Sequence, residues 1–263
     1  MAPDGTYTTQ LQAGLGMVAE TLALLRVWEP GMIPSRLAER AVQAGVFSRA
    51  TARRTRNLAT EMFAPRYLTH DGMAAERLQY LVAHQASPEA ISQICFLYTA
   101  RAQRIFADFL TEVFWPRYHA GSDVLARKEA EAFVRRGMDS GRTKARWADS
   151  TLRRVSGYLL GCCVDFGLLA PATQAIRTIQ RFRIRRDVAL YLAYDLHFAG
   201  LGSNAVIHAS DWQLFGLNPQ EVVALLKDVG QDGHFLIQSS GEMVDIAWRY
   251  PSMKECLNAI TQG

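Results

Sequence analysis

The residues of this sequence best suited to chemistry are arginines clustered near its middle. Residues 135–186 contain 12 Lys and Arg against 3 Asp and Glu, whereas residues 187–263 contain 3 against 9. A guanidinium group presents a planar fork of donors that matches a phosphate, so clustered arginines indicate an anionic partner. The whole chain is only mildly basic, with a net charge of +4, because the acidic tail offsets the basic middle.

We interpret the clustered cations as a surface that binds nucleic acid. A bias toward Arg over Lys also arises from genome composition, but composition does not explain the clustering. The predicted binding residues are Arg142, Lys144, Arg146, Arg153, Arg154, Arg177, Arg181, Arg183, Arg185 and Arg186, with Arg53, Arg54 and Arg56 as a secondary set.

An apolar helix is predicted directly after the first of these arginines. Its apolar residues recur at three- and four-residue steps, which indicates one buried helical face. They are Leu152, Val155, Leu159, Cys162 and Phe166.

The same helix would align three of the cations if it began near Arg142. Arg142, Arg146 and Arg153 would then fall within about 40° of one another, at 100° per residue. Asp149 would lie on that face, where it could pair with Arg146 and Arg153. One carboxylate cannot neutralise three arginines, so the spacing favours anion binding.

The second basic stretch, residues 177–186, is compatible with two geometries. A strand would place Arg181, Arg183 and Arg185 on one face, whereas a helix would align Arg177, Arg181 and Arg185 at steps of four. Either geometry builds a row of arginines. We expect this row and the first one to border a single positive face.

Motifs for catalysis or metal binding are missing from the sequence. The histidines are scattered, and the sequence has no phosphate-binding glycine loop and no nucleophile motif. The cysteines lack metal-ligand spacing and stand in apolar contexts, which predicts buried thiols; they are Cys95, Cys162, Cys163 and Cys256. We therefore predict a binding protein that is not an enzyme and has no metal or cofactor.

The predicted fold is mainly α. Helical periodicity runs through the first half, from Gln10–Arg26 to a long helix over 87–114, without strand-like alternation. The segment Gly137–Gly141 is the predicted boundary between an N-terminal helical bundle (1–136) and a C-terminal helical domain (137–263).

The C-terminal domain is expected to end in a β-hairpin. The residues Asn218-Pro-Gln-Glu221 predict a helix with a capping box, and two alternating segments, His234–Ile237 and Met243–Arg249, predict the strands. Helices followed by a hairpin resemble a winged helix. Because this region is acidic, we expect the winged element to be structural or to bind protein instead of DNA.

The sequence also predicts where in the cell the protein is found. No basic N-terminal region followed by an apolar stretch is present, and the most apolar segment, 157–170, is too short to span a bilayer. We expect a soluble, cytoplasmic protein without membrane insertion.

Three segments together resemble the BrxA family of bacteriophage-exclusion (BREX) defence systems. The first combines Gly14–Glu20 with the later FSRATARRTRNLATEMF, and the second is ADFLTEVF. The third is ADSTLRRVSGYLLGCCVDFGLL, in which a Ser-Thr pair precedes basic residues and the stretch closes on Gly-Leu-Leu. Their order and spacing resemble the family across Gln10–Leu201.

The resemblance implies a helical, NusB-like protein that binds nucleic acid beside the other proteins of the defence operon, without catalysis. The basic residue after the Ser-Thr pair corresponds to Arg153 or Arg154. The leading hypothesis is binding of duplex DNA. Two alternatives remain at this stage: a protein-interaction scaffold within the defence complex, and an RNA-binding protein of the NusB type.

Overall fold

Helices form most of the chain in a computed structural model, which describes residues 6–9, 16–171, 175–240 and 243–262. The helices are α1 (Val18–Leu25), α2 (Pro34–Gln43), α3 (Ala52–Asn57), α4 (Ala64–Tyr67), α5 (Met73–Ala83), α6 (Pro88–Ala102), α7 (Arg104–Phe109), α8 (Trp115–His119), α9 (Arg127–Asp139), α10 (Asp149–Asp165), α11 (Arg186–Phe198), α12 (Ser203–Ile207), α13 (Asp211–Leu214), α14 (Pro219–Gly230) and α15 (Met253–Gln262). The mainly α prediction is confirmed. Residues 10–15 of the predicted first helix lie outside the described residues.

Four short strands form two antiparallel pairs. β1 (Val124–Ala126) pairs with β2 (Ile176–Thr178), and β3 (Phe235–Ser240) pairs with β4 (Met243–Trp248). The second pair confirms the hairpin predicted near the C-terminus. β1 was not predicted, because the first half of the sequence shows no strand-like alternation.

The chain divides into two compact units, and each unit is built from two separate segments of the sequence. Unit 1 comprises residues 1–79 and 95–182, and unit 2 comprises residues 80–94 and 183–263. The boundary predicted between residues 136 and 137 lies within unit 1 and stays a prediction. At that position α9 packs on α10, and Gly137 is buried within α9.

Unit 1 has an aromatic core. Phe96 packs against Phe106 and Phe166, with ring centroids 5.9 and 5.4 Å apart. The single helix expected over 87–114 is broken at Gln103, whose φ of −120° leaves the helical region. A π-helical turn then connects α7 to α8, as another connects α3 to α4.

Unit 2 is organised around α11, and the hydroxyl of Tyr194 ties this helix to its hairpin. The hydroxyl donates to the carbonyl of His234 at 2.7 Å and accepts from the amides of Arg249 and Tyr250 at 3.0 and 3.1 Å. These three residues flank β3 and β4, so one side chain fixes the base of the hairpin. Burial raises the pKa of Tyr194 to about 12, so the hydroxyl stays protonated at neutral pH.

The predicted start of α14 is confirmed in atomic detail. The amide of Glu221 donates to Oδ1 of Asn218 at 3.0 Å, and the amide of Asn218 donates to Oε2 of Glu221 at 2.8 Å. This reciprocal pair is a capping box, with Pro219 at the first helical position.

Candidate nucleic-acid interface

The two units carry opposite net charge. Unit 1 contains 23 Lys and Arg against 15 Asp and Glu, and unit 2 contains 6 against 10. Phosphate contacts require cations, so unit 1 holds most of the residues able to bind a nucleic-acid backbone. Seven of the ten predicted primary cations lie in unit 1; Arg183, Arg185 and Arg186 lie in unit 2.

The segment before α10 is not helical, which corrects one expectation. α10 begins at Asp149, after a non-helical stretch that contains Arg142 and Arg146. The alignment of Arg142, Arg146 and Arg153 on one helical face is therefore wrong. Arg146 pairs with Asp139 at 2.9 Å, and not with Asp149.

Arg142 takes part in an internal network. Its Nη1 donates to Oε1 of Glu112 at 2.5 Å, to the hydroxyl of Tyr7 at 2.7 Å and to Oδ2 of Asp108 at 3.3 Å. The hydroxyl of Tyr7 donates to the same Asp108 oxygen, and Arg104 pairs with the other oxygen at 2.7 Å. Hydrogen bonding to Glu112 raises the pKa of Arg142 further above its usual range.

This network makes Arg142 a structural residue of unit 1. The backbone amide of Tyr7 donates to the carbonyl of Arg142 at 2.6 Å, so the start of the chain is bound to the segment before α10. Asp108 is a nearly buried carboxylate, and such a charge requires partners. Lys144, two residues further, has an exposed side chain.

Arg153 and Arg154 lie on the exposed side of α10. The opposite side is buried as the sequence predicts, with Leu152, Val155 and Leu159 in the core. Neither arginine forms an ion pair within the described residues. Both guanidinium groups are therefore available to an external anion.

Arg127 adds a cation that sequence reasoning missed. Its Nη2 donates to the carbonyl of Arg153 at 3.2 Å, and its backbone amide donates to the carbonyl of Ala175 at 2.7 Å. Arg177 lies in β2, opposite Leu125 of β1, two residues before Arg127. The start of α9 thus brings together α10 and β2, and we call Arg127, Arg153, Arg154 and Arg177 the α9–α10 cluster.

A sequence signal for Arg127 did exist. It is followed by Lys128, and the pair stands at the first two positions of α9, both exposed. The pair lies just outside residues 135–186, the segment in which cations are most dense. A count of charges along the sequence does not show that Arg127 lies beside Arg153, because packing between α9 and α10 brings them together.

The second basic stretch is largely extended. β2 covers Ile176–Thr178, a non-helical segment follows, and α11 begins at Arg186. Arg181 and Arg183 are exposed, whereas Phe182, Ile184 and Arg185 are half-buried. Residues 181–184 therefore alternate as the strand alternative predicts, Arg185 does not, and the helical alternative is excluded.

The arginines at the start of α11 are engaged by carboxylates of unit 2. Nε and Nη2 of Arg185 donate to Asp187 at about 3 Å, a bidentate arrangement. Arg186 pairs with Asp228 and, at 2.7 Å, with Asp232. Hydrogen bonding from Arg186 lowers the pKa of Asp232. A phosphate would have to compete with these carboxylates.

The secondary set lies on α3. Thr51 caps this helix by accepting the amide of Arg54 at 3.2 Å, and Arg53 and Arg56 are exposed. No hydrogen bond or ion pair in the described part of the chain joins these arginines to the α9–α10 cluster.

The described residues give little support for a metal site, a reactive cysteine or a membrane-spanning helix. No group of three or more His, Cys, Asp or Glu there could hold a metal ion. The four cysteines are buried, as predicted, and burial raises the pKa of Cys95 to about 11 and that of Cys162 to about 12. No helix within the same residues is long and apolar enough to cross a bilayer.

Comparison with known proteins identifies the family. The family model described as BrxA matches residues 5–195. The chain belongs to the BrxA family. The sequence resemblance is thereby confirmed, and membership associates the chain with BREX phage defence.

The fold of this BrxA-family chain also occurs in a solved structure. The crystal structure of an uncharacterized protein from Magnetospirillum magneticum superposes with a TM-score of 0.58 at 16% sequence identity. The match covers 73% of this chain and 94% of the other. No curated protein gives a significant sequence match.

Proposed function

We propose that this BrxA-family protein binds duplex DNA through the α9–α10 cluster and acts in BREX defence without catalysing a reaction. The single observation that carries the proposal is the pair Arg153 and Arg154, exposed on α10 and free of ion pairs within the described residues. A guanidinium group binds a phosphate through two parallel hydrogen bonds, so two adjacent arginines without ion pairs favour a phosphate partner.

The surroundings of this pair support a backbone contact. Arg127 is fixed by its bond to the carbonyl of Arg153 and by an ion pair with Glu131 at 3.2 Å, and Arg177 lies in the β1–β2 ladder. Cations on a rigid scaffold lose little conformational entropy on binding. No base-reading element is required for such contacts, so we expect little sequence preference.

A salt titration tests the proposal. Fluorescence anisotropy with a labelled duplex should show binding at about 50 mM salt, and log affinity should fall linearly with log salt, with a slope of about −0.9 for each phosphate neutralised. If each cation of the cluster neutralises one phosphate, the slope should be about −3.6 by that rule. No binding at the lowest salt would disprove the proposal.

Competition identifies the nucleic acid. Unlabelled duplex DNA of unrelated sequence should displace the labelled duplex as well as its own sequence does. If single-stranded or structured RNA displaces the duplex at equal nucleotide concentration, the preferred ligand is RNA and the duplex assignment is wrong.

A further inference from the structure

The hairpin of unit 2 has one protected edge. On β4, the amides of Val244 and Ile246 point away from β3, and each is satisfied by α12. Val244 donates to Oδ1 of Asn204 at 2.9 Å, and Ile246 donates to Oγ of Ser203 at 3.1 Å. An edge covered in this way cannot pair with another strand.

The other edge is open. Ile237 of β3 is opposite Ile246, and Ser239 is opposite Val244. In an antiparallel pair, opposed residues point their backbone groups both inward or both outward. Because Val244 and Ile246 point outward, Ile237 and Ser239 also point away from β4. The backbone groups of Ile237 form no hydrogen bond within the described residues.

The solvent face of the hairpin is apolar and acidic. Leu236 is 61% exposed and Met243 is 73% exposed, both unusually high for large apolar side chains. Gln238 and its cross-strand partner Asp245 lie exposed between them. Unit 2 as a whole has four more acidic than basic residues.

We propose that the open edge of β3 binds an extended segment of a partner protein, in which Lys or Arg alternates with β-branched apolar residues. Main-chain hydrogen bonds to Ile237 and Ser239 add this segment to the hairpin as a third strand. Its cationic side chains lie on the solvent face, where Leu236 packs on their aliphatic stems.

Charge complementarity selects this occupant. Asp245 lies one strand beyond β3, about 10 Å from an added strand at the usual strand spacing. A Lys or Arg side chain extended over Gln238 brings its charge toward the Asp245 carboxylate. An acidic segment would meet Asp245 and the net negative charge of unit 2, so its binding is disfavoured.

A designed peptide tests the surface directly. We use a fluorescein-labelled peptide of alternating Val and Lys, and a matched peptide of alternating Val and Glu. The Val–Lys peptide should bind the full chain, and it should protect the amides of Ile237 and Ser239 from hydrogen exchange. No binding, or equal binding of the Val–Glu peptide, would overturn the proposal.

Two changes separate strand addition from general attraction to an acidic surface. Ser239→Pro removes one outward donor and leaves the pairing with β4 intact, because that amide does not bond to β4. N-methylation of two successive peptide residues removes donors from both peptide edges while the protein stays unaltered. Each change should abolish binding; retained binding in the N-methylated peptide rules out strand addition.

The last experiments test the contribution of the Asp245 charge and whether the β3 edge binds a partner protein or a second copy of this chain. Asp245→Asn should weaken the Val–Lys peptide about two- to fivefold, the value of one exposed charge pair. Glu255→Gln on α15 removes the same charge outside the hairpin and should change affinity less. Sedimentation of the chain alone checks the other occupant: a dimer that Ser239→Pro converts to monomer would assign the edge to a second copy and refute a partner protein.

Discussion

The guanidinium of Arg142 lies 3.3 Å from the carboxylate of Asp108, which is only 10% exposed. The same guanidinium reaches Glu112 and Tyr7, so one side chain joins α7, the following π turn and the start of the chain. A cation in this position stabilises the fold of unit 1, whatever else it binds.

Arg142→Ala should therefore destabilise the protein. Loss of hydrogen bonds to charged groups and of a partner for a nearly buried carboxylate is expected to cost about 1–3 kcal/mol. Arg146→Ala is the matched control: its pair with Asp139 is exposed, so the cost should stay within about 0.5 kcal/mol. Urea unfolding measures both, and equal losses would contradict the structural assignment of Arg142.

Two helical glycines should respond in opposite ways to alanine. A Cβ on Gly137 would lie 2.6 Å from the ring of Tyr7, so Gly137→Ala should displace that ring and cost about 1–3 kcal/mol. Gly157 on α10 has open space at the same position, so Gly157→Ala should stabilise by about 0.5–1 kcal/mol. Thermal unfolding of the two variants measures both changes in stability. Destabilisation by both would show that a side chain at position 157 has no room.

Arg153 and Arg154 should account for a measurable part of the salt dependence. The double variant R153A/R154A is expected to fold normally and to reduce the magnitude of the slope by up to about 1.8, at about 0.9 for each phosphate that is no longer neutralised. The control R36A/R40A removes two α2 arginines that pair with Glu39 and Glu29. A larger slope change in the control would place the interface on α2 instead.

The expectation of one positive face built from both arginine rows stays a prediction, and a quadruple variant tests it. Arg146, Arg153 and Arg181 belong to unit 1 and Arg185 belongs to unit 2. Replacing all four with Ala should leave folding nearly unchanged and reduce the slope by up to about 0.9 for each arginine that neutralises a phosphate. An unchanged slope in the folded variant would show that the rows do not touch the DNA backbone.

Acidification should destabilise unit 2. Burial lowers the pKa of His197 and of His234 in the folded state, so below an ordinary pKa of about 6.5 the unfolded chain binds more protons. The two histidines therefore contribute their full stabilisation at a pH above about 6.5, and this stabilisation is lost as the pH falls through and below that value. Trp fluorescence during thermal unfolding should show a midpoint that falls from pH 7 to pH 5.

The variant His197→Phe tests whether His197 causes this pH dependence. His197 stacks on Trp248 with ring centroids 4.3 Å apart, and His197→Phe keeps an aromatic ring there without a titrating group. The pH dependence of the midpoint should become shallower in this variant. A steeper dependence would contradict the role of His197.

The sequence was informative wherever the signal is local. The buried stripe of α10 and the capping box of α14 follow from spacing within a few residues, and both are confirmed. The non-helical conformation around Arg142 was missed because its stabilising partner, Tyr7, is 135 positions away. The position of Arg127 beside Arg153 depends on packing between helices, which periodicity cannot predict.

The discontinuity of unit 2 has a consequence for synthesis on the ribosome. Residues 80–94 are translated well before residue 183, the first of the later segment that completes their unit. At bacterial rates of 5–20 residues per second, that delay is roughly 5 to 20 s. During this interval the early segment lacks every residue of unit 2 that follows residue 182, so its unit is incomplete. Completion of unit 2 is therefore a late event, after the whole basic middle of the chain has left the exit tunnel.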